Sequence, residues 1–141
     1  MDIEKVEITT KEFFASDAKL EEAQTFLTSE LENAGASFKL ITKANIVLEE
    51  LFVNVAHYAY GDESGNVRIG VGSDENSFYI VLEDNGIEFD PFKKSDPDIS
   101  LSAEEREIGG LGIFMTKKIM DEYEYEFRDG VNIVRLRKFY E

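Results

Sequence analysis

The chain has 141 residues, 30 Asp plus Glu against 15 Lys plus Arg, a formal net charge of -15, and neither cysteine nor tryptophan. Without cysteine there is no disulfide framework, thiol redox chemistry or Cys-ligated zinc. The acidic field, with no Lys/Arg stripe to override it, repels phosphate backbones and anionic headgroups, so neither nucleic acid nor a membrane is an expected partner. A 43% hydrophobic and 12% aromatic composition is too rich for a disordered acidic chain. No linker or repeat divides residues 1–141, and one domain of this size buries about two thirds of its unfolded surface. The start, MDIEKVEITTKEFF, lacks the basic and apolar pattern of a leader, and no run reaches the ~18 apolar residues of a spanning helix, so a cytoplasmic location is expected.

In chain order, residues 2–9 (DIEKVEIT) place Ile3, Val6 and Ile8 in imperfect alternation, which predicts a short edge strand. Ser16-Asp17 then opens a helical stretch with Leu20, Ala23, Phe26, Leu27, Leu31 and Ala34 at spacings of three and four, ended by Gly35. A second helical run from about Ser37 to Tyr60 carries Leu40, Ala44, Val47, Leu48, Leu51, Val55 and Tyr58 on one stripe and stops at Gly61. Two antiparallel helices are expected.

From Asn66 the period drops to two: Val67, Ile69 and Val71 alternate with Arg68, Gly70 and Gly72. Asp74-Glu75-Asn76 then turns the chain into SFYIVLE, apolar on both faces and therefore an interior strand. Residues 92–109 are polar and read as a mobile loop with a helical turn near Ala103–Arg106. Gly109-Gly110-Leu111-Gly112 precedes a helix through Ile113, Met115 or Thr116, Ile119 and Met120. Two strands, Tyr123–Arg128 and Asn132–Phe139, close the chain across Asp129-Gly130. Strands and helices segregate rather than alternate, which favours an α+β two-layer sandwich over a doubly wound fold.

Three segments carry polar or glycine residues against the core pattern. Glu50 and Asn54 lie about 40° apart around a helix, whereas Glu49 and Asn54 diverge by about 140°, so only Glu50 pairs with Asn54. A carboxylate at the edge of buried surface can act as a base, and a neighbouring amide oxygen suits Mg²⁺. Asp84-Asn85-Gly86 ends a buried strand: the acid can accept from an exocyclic amine, and the glycine admits a flat ring close to the backbone. Gly110-Leu111-Gly112 opens a helix whose free N–H groups and dipole suit phosphate. Taken singly, these are a solvated helix face, an ordinary turn and a flexible loop; their order and spacing make the joint signal.

In that order the segments resemble the GHKL, or Bergerat-fold, ATP-binding superfamily of gyrase, heat-shock chaperone, histidine kinase and mismatch-repair ATPases. The branch most similar is the small stand-alone group of bacterial anti-sigma-factor serine kinases. The resemblance spans about Ala15 to Lys138, with Glu50–Asn54 on the N box, Asp84 and Gly86 on the first glycine box, and GGLGIFMTKKIMD on the second. It implies a sandwich of the histidine-kinase-like ATPase type, with a mixed, mostly antiparallel sheet and helices on one face. It also implies ATP and Mg²⁺ as cofactors. Glu50 would be the catalytic base, Asn54 would hold Mg²⁺, Asp84 would bind the adenine amine with Gly86 beside the ring, and Gly110, Leu111 and Gly112 would meet the phosphates. Residues 92–109 would be the lid. By the same resemblance, the partners would be a sigma factor and a small antagonist protein that is phosphorylated, and a homodimer is expected because relatives often dimerise.

Two departures stand out. Glu88 occupies the position of a usual second glycine, and the final strand lacks the Thr that relatives often place near adenine. His57 reads as a capping or surface residue, while Lys93, Lys94, Arg106, Lys117 and Lys118 flank the phosphate site. The leading reading is an ATP-dependent serine kinase and anti-sigma factor. Its alternatives are a non-catalytic partner-switching module of the same fold, for which Glu88 and Arg135 speak, and an acidic interaction domain outside the family.

Overall fold

The computed structural model describes residues 1–93 and 110–141. Among these residues five strands form one sheet in the order β1-β2-β3-β5-β4, comprising β1 (Thr9–Phe14), β2 (Asn66–Ser73), β3 (Ser77–Asp84), β4 (Glu122–Arg128) and β5 (Val131–Phe139). Every pairing is antiparallel, so the sheet is simpler than the mixed one expected. The strand that is apolar on both faces, β3, is central, as its pattern requires. β4 and β5 meet at Asp129 (φ 53°) and Gly130 (φ 79°); positive φ at both central residues is what a type I′ hairpin turn demands.

Among the described residues three helices pack on this sheet: α1 (Leu20–Asn33), α2 (Phe38–Asn54) and α3 (Gly110–Ile119). Ser37 caps α2 by accepting the Leu40 N–H at 3.2 Å, and Gly35, at φ 86°, lets the chain leave α1. Asn45 Nδ2 donates to Thr28 Oγ1 at 2.9 Å, a pairing nearly symmetric about the 34–37 turn, as antiparallel helices require. The periodic stripes do the packing. Ala23, Leu27 and Leu31 of α1 and Leu40, Ala44, Val47, Leu48, Leu51 and Phe52 of α2 share one core with Val67, Ile69, Phe78, Ile80, Leu82 and Leu136 of the sheet. α3 adds Ile113, with Met120 just beyond its end, while Met115 points outward.

The opposite face of the sheet carries charge. By register Arg68, Tyr79, Val81, Glu83, Ile133, Arg135 and Arg137 share it with Glu122, Glu124 and Glu126. Arg135 pairs with Glu124 (3.4 Å) and Glu126 (2.9 Å), and Arg137 pairs with Glu122 (2.9 Å) and Asp74 (3.5 Å) while lying over the ring of fully buried Tyr79.

The first strand requires a correction. Residues 3–5 form a 3-10 turn and the edge strand is Thr9–Phe14, not 2–9. Val6 and Ile8 extend across the charged face, where a Cβ on Gly72 would lie 2.8 Å from Val6 and 2.6 Å from Ile8, and one on Gly70 2.6 Å from Ile8. Their alternation reflects this packing, whereas β1 buries only Phe13 and so carries no period to read.

Candidate nucleotide site

At Asn54 the α-helix gives way to one wide π-helical turn over Val55–Ala59, a local widening that often marks functional sites. Glu50 and Asn54 sit one turn apart, both half-buried, and Asn54 Nδ2 donates to Glu50 Oε1 at 3.3 Å. Glu49 is exposed, as the helical arithmetic requires. The amide's donor side faces the carboxylate, which turns Oδ1 of Asn54 away from it.

α3 starts directly against this pair. A Cβ on Gly112 would fall 2.0 Å from Glu50 Cδ and Oε2, so any side chain there would push that carboxyl aside. Gly110 and Leu111 belong to the same turn, which places the glycines inside the helix rather than in a loop before it. A carboxylate at a helix N-terminus is favoured by the unpaired N–H groups and the dipole.

Asp84 is the last residue of β3 and only 8% exposed. Its Oδ1 accepts from Gly86 N–H at 2.9 Å and from Asn132 Nδ2 at 3.0 Å. Asn132 is its direct cross-strand neighbour on β5. Gly86 is required by a close approach: a Cβ there would lie 2.3 Å from the Ala59 carbonyl oxygen. That approach lets Ile87 N–H donate to Ala59 O at 2.9 Å and ties the loop to the end of the π turn. Tyr60 clamps the same junction, donating to Asn66 O at 2.5 Å and accepting from Asn85 N–H at 3.0 Å. Burial pushes the Tyr60 hydroxyl above the ordinary tyrosine pKa, which keeps its proton in place.

Between these groups lies a cavity of about 400 Å³. Leu51, Val55, Tyr58, Ala59, Leu82 and Val134 form its apolar walls with Ile87, Phe89, Pro91 and Ile113, and Asn54, Asp84 and Asn132 are the polar residues of its lining. An apolar cleft with a few convergent polar groups is the usual form of a small-molecule site. Glu50, Gly86 and Gly112 stand outside its wall: the first and last adjoin each other near Asn54, and Gly86 packs behind on Ala59. The donor set suits Mg-ATP. The buried Asp84 carboxyl in this apolar lining can accept from an amine, and the Asn54 amide oxygen is a hard ligand. Among the described residues no three His, Asp or Glu side chains gather as a metal cage. That agrees with Mg²⁺, which keeps waters and phosphate oxygens about it and needs few protein ligands.

Other expectations resolve as follows. Glu88 is exposed, and Arg135 belongs to the charged face with no part in the cavity. His57 pairs with Asp17 at 2.7 Å on the surface, as expected of it. Lys118 lies over the Phe114 ring at 5.4 Å. Residues 92 and 93 sit in a 3-10 turn, Pro91–Lys93, but the remainder of the proposed lid, with Lys94, Arg106 and Gly109, lies outside the described residues. Asn132 was missed as a site residue. The available signal was phase: Asn132, Val134 and Leu136 point the same way in β5, and a polar residue at a core phase asks for a partner.

A sequence profile of the histidine kinase-like ATPase domain matches residues 13–138, from β1 to β5. The chain belongs to that family. Proteins similar to it are named serine-protein kinase RsbW. That of Listeria monocytogenes serovar 1/2a is 29% identical over 106 residues, 72% of this chain and 68% of the relative. That of Oceanobacillus iheyensis is 28% identical over 122 residues, 79% and 74% of the two chains. That of Bacillus thuringiensis is 28% identical over 104 residues, 71% and 65%. Among the described residues no helix is long and apolar enough to cross a membrane.

Proposed function

We propose that this chain is an ATP-binding protein serine kinase that phosphorylates a small antagonist protein and, when free of it, holds a sigma factor. The observation that carries the reading is one cavity lined by both Asp84 and Asn54, Asn54 being hydrogen-bonded to Glu50 beside the first turn of α3. The names of the relatives support the kinase and its serine substrate.

Mg-ATP, when bound, supplies the phosphoryl group and neutralises its developing charge. The residues do the positioning. Asp84 would accept from the base amine, the apolar walls would exclude water from the ring, and Asn54 would hold the metal through its amide oxygen. The N–H groups of Gly110, Leu111 and Gly112 would hold phosphate oxygens, and Glu50 would take the proton of an attacking serine hydroxyl.

A second reading rests on Glu50 itself. Its carboxyl lies on Gly112, so it can serve as an anchor for α3 in a module that changes partner with nucleotide and transfers nothing. One experiment separates the two. Mg-ATP at a hundred times its Kd stabilises the native state by about 2.7 kcal/mol and raises the melting temperature in both readings. Only in the first does labelled phosphate reach a serine of the partner protein, and only there does Glu50→Gln remove transfer while keeping the melting shift. No shift at millimolar nucleotide sinks both.

A further inference from the structure

A second concavity, of about 560 Å³, is lined by α1, α2 and their connection alone, with no residue of the sheet. Gln24, Thr28 and Glu32 form its wall on α1, each one turn from the next, and Phe38, Thr42 and Ile46 step in the same way along α2. From Phe38 to Glu49 the groove follows α2 for about 16 Å, or three helical turns. Phe38 is 86% exposed although it stands in the first turn of a helix that Ser37 caps, and Ile46, two turns on, is 44% exposed. A single apolar residue in water needs no explanation. Two held by a capped helix along the rim of one groove mark a contact surface.

The polar groups of this groove lean one way. Glu32 and Glu49 bring carboxylates, and among the described residues no Lys, Arg or His lines it. The Thr42 hydroxyl spends its proton on Phe38 O at 2.9 Å, and Asn45 Nδ2 donates to Thr28 Oγ1 at 2.9 Å and to Ile41 O at 3.1 Å. Asn45 Oδ1 is buried and accepts from no group among the described residues, a cost that a donor would relieve. The groove thus offers apolar contact flanked by acceptors, the complement of an amphipathic helix with Lys or Arg beside its apolar stripe. A second copy of this chain fits poorly, since it would set Glu32 and Glu49 against the same carboxylates on a molecule that also carries a charge of -15.

We infer that this groove is a docking site for a basic amphipathic helix of a partner protein, its apolar side chains seated against Phe38, Ile41 and Ile46 and its cations against Glu32 and Glu49. Three turns of helix match the length, with anchors at i, i+4 and i+7. The site stands apart from the nucleotide reading. Glu49 belongs to the groove whereas Glu50, the next residue, lies against Gly112, so α2 presents the two sites on different sides.

The test is fluorescence anisotropy of a labelled synthetic peptide of about 18 residues, with leucine on one helical face and lysine elsewhere, added to the folded chain at about 0.15 M salt. Two control peptides accompany it: one with serine for leucine, which keeps the charge, and one with glutamate for lysine, which keeps the apolar face. The parent is expected to bind the leucine-lysine peptide at least about tenfold more tightly than either control. Phe38→Ala should weaken that binding about tenfold and Ile46→Ala about threefold. Glu32→Gln combined with Glu49→Gln should weaken it about threefold and flatten its salt dependence. Phe14→Ala, at another exposed aromatic on the far face of the sheet, should change it by less than about twofold. Phe38 and Ile46 are exposed, so both variants keep the fold and the melting shift that Mg-ATP gives the parent. Equal binding of either control peptide overturns the inference, as do equal losses in Phe38→Ala and Phe14→Ala, and so does a parent that binds no peptide at about 100 μM. A parent that sediments as a dimer, with Phe38→Ala a monomer, hands the groove to a second copy instead. A parent without a melting shift overturns the nucleotide reading alone.

Discussion

The two faces of the sheet use polar residues in opposite ways. On the charged face, Arg135, Arg137 and Arg128 alternate with Glu122, Glu124 and Glu126 in a ladder of paired ions, most of them partly open to water. On the helix-facing side, few polar groups intrude on the apolar layer, and Asp84 and Asn132 are more than nine-tenths buried. Exposed ion pairs are worth little individually because water and salt compete for both partners. A buried amide or carboxylate has no such substitute, so its partners decide its orientation. The contrast therefore separates charge that keeps an acidic molecule's edge strand in register from polarity that defines a ligand.

Disturbing the helix-facing side should cost most. Phe52→Ala removes a fully buried ring from the layer between α2 and the sheet and is expected to lower unfolding stability by about 3–5 kcal/mol in a denaturant titration. Gly86→Ala comes next. Its Cβ must displace Ala59 or the loop, for a loss of about 1–3 kcal/mol, and the melting shift caused by Mg-ATP should shrink with it because the cavity wall moves. If Gly86→Ala melted and bound nucleotide as the parent does, the close approach would carry no weight.

The charged face should respond least, and to pH. Hydrogen bonds from Arg128 and Arg135 hold the Glu126 carboxyl at about 2, below its ordinary 4.5. A depressed carboxylate pKa stabilises the fold above the unfolded value and loses that contribution as pH falls through the folded one. The melting temperature of the parent should thus exceed that of Glu126→Gln at pH 6 by a small margin. The margin should narrow from about pH 4.5 and vanish near pH 2, and added salt should shrink it at any pH. A margin that persisted at pH 2 would assign it to packing instead of charge.

Much of the fold was legible in the sequence because its signals were local and redundant. The stripes of α1 and α2, the Gly35 and Gly61 stops and the Asp129-Gly130 turn each coupled a period to a terminator. β1 was displaced because an edge strand with one buried residue writes no period, while the apolar residues before it pack across a face instead of along a ladder. At the candidate site, the Glu50–Asn54 pairing followed from helical angle alone. The roles of Asn132 and Tyr60 did not, because they depend on cross-strand register and on which loop each side chain reaches. The π turn was likewise unreadable: it adds no residue type of its own and shows only as a change in which carbonyl each N–H finds.

That wide turn has a consequence for how the chain can change length. Its final carbonyl, Ala59 O, is taken by Ile87 N–H, so the path from Asn54 to Ala59 works as a ruler along one wall of the cavity. One residue added or deleted there would rotate everything downstream about the helix axis and part the amide from the loop it faces. Growth of the polypeptide is better absorbed at the exposed Asp62–Ser64 bend, a few residues on, where the surface can accept an insertion without consulting the ruler.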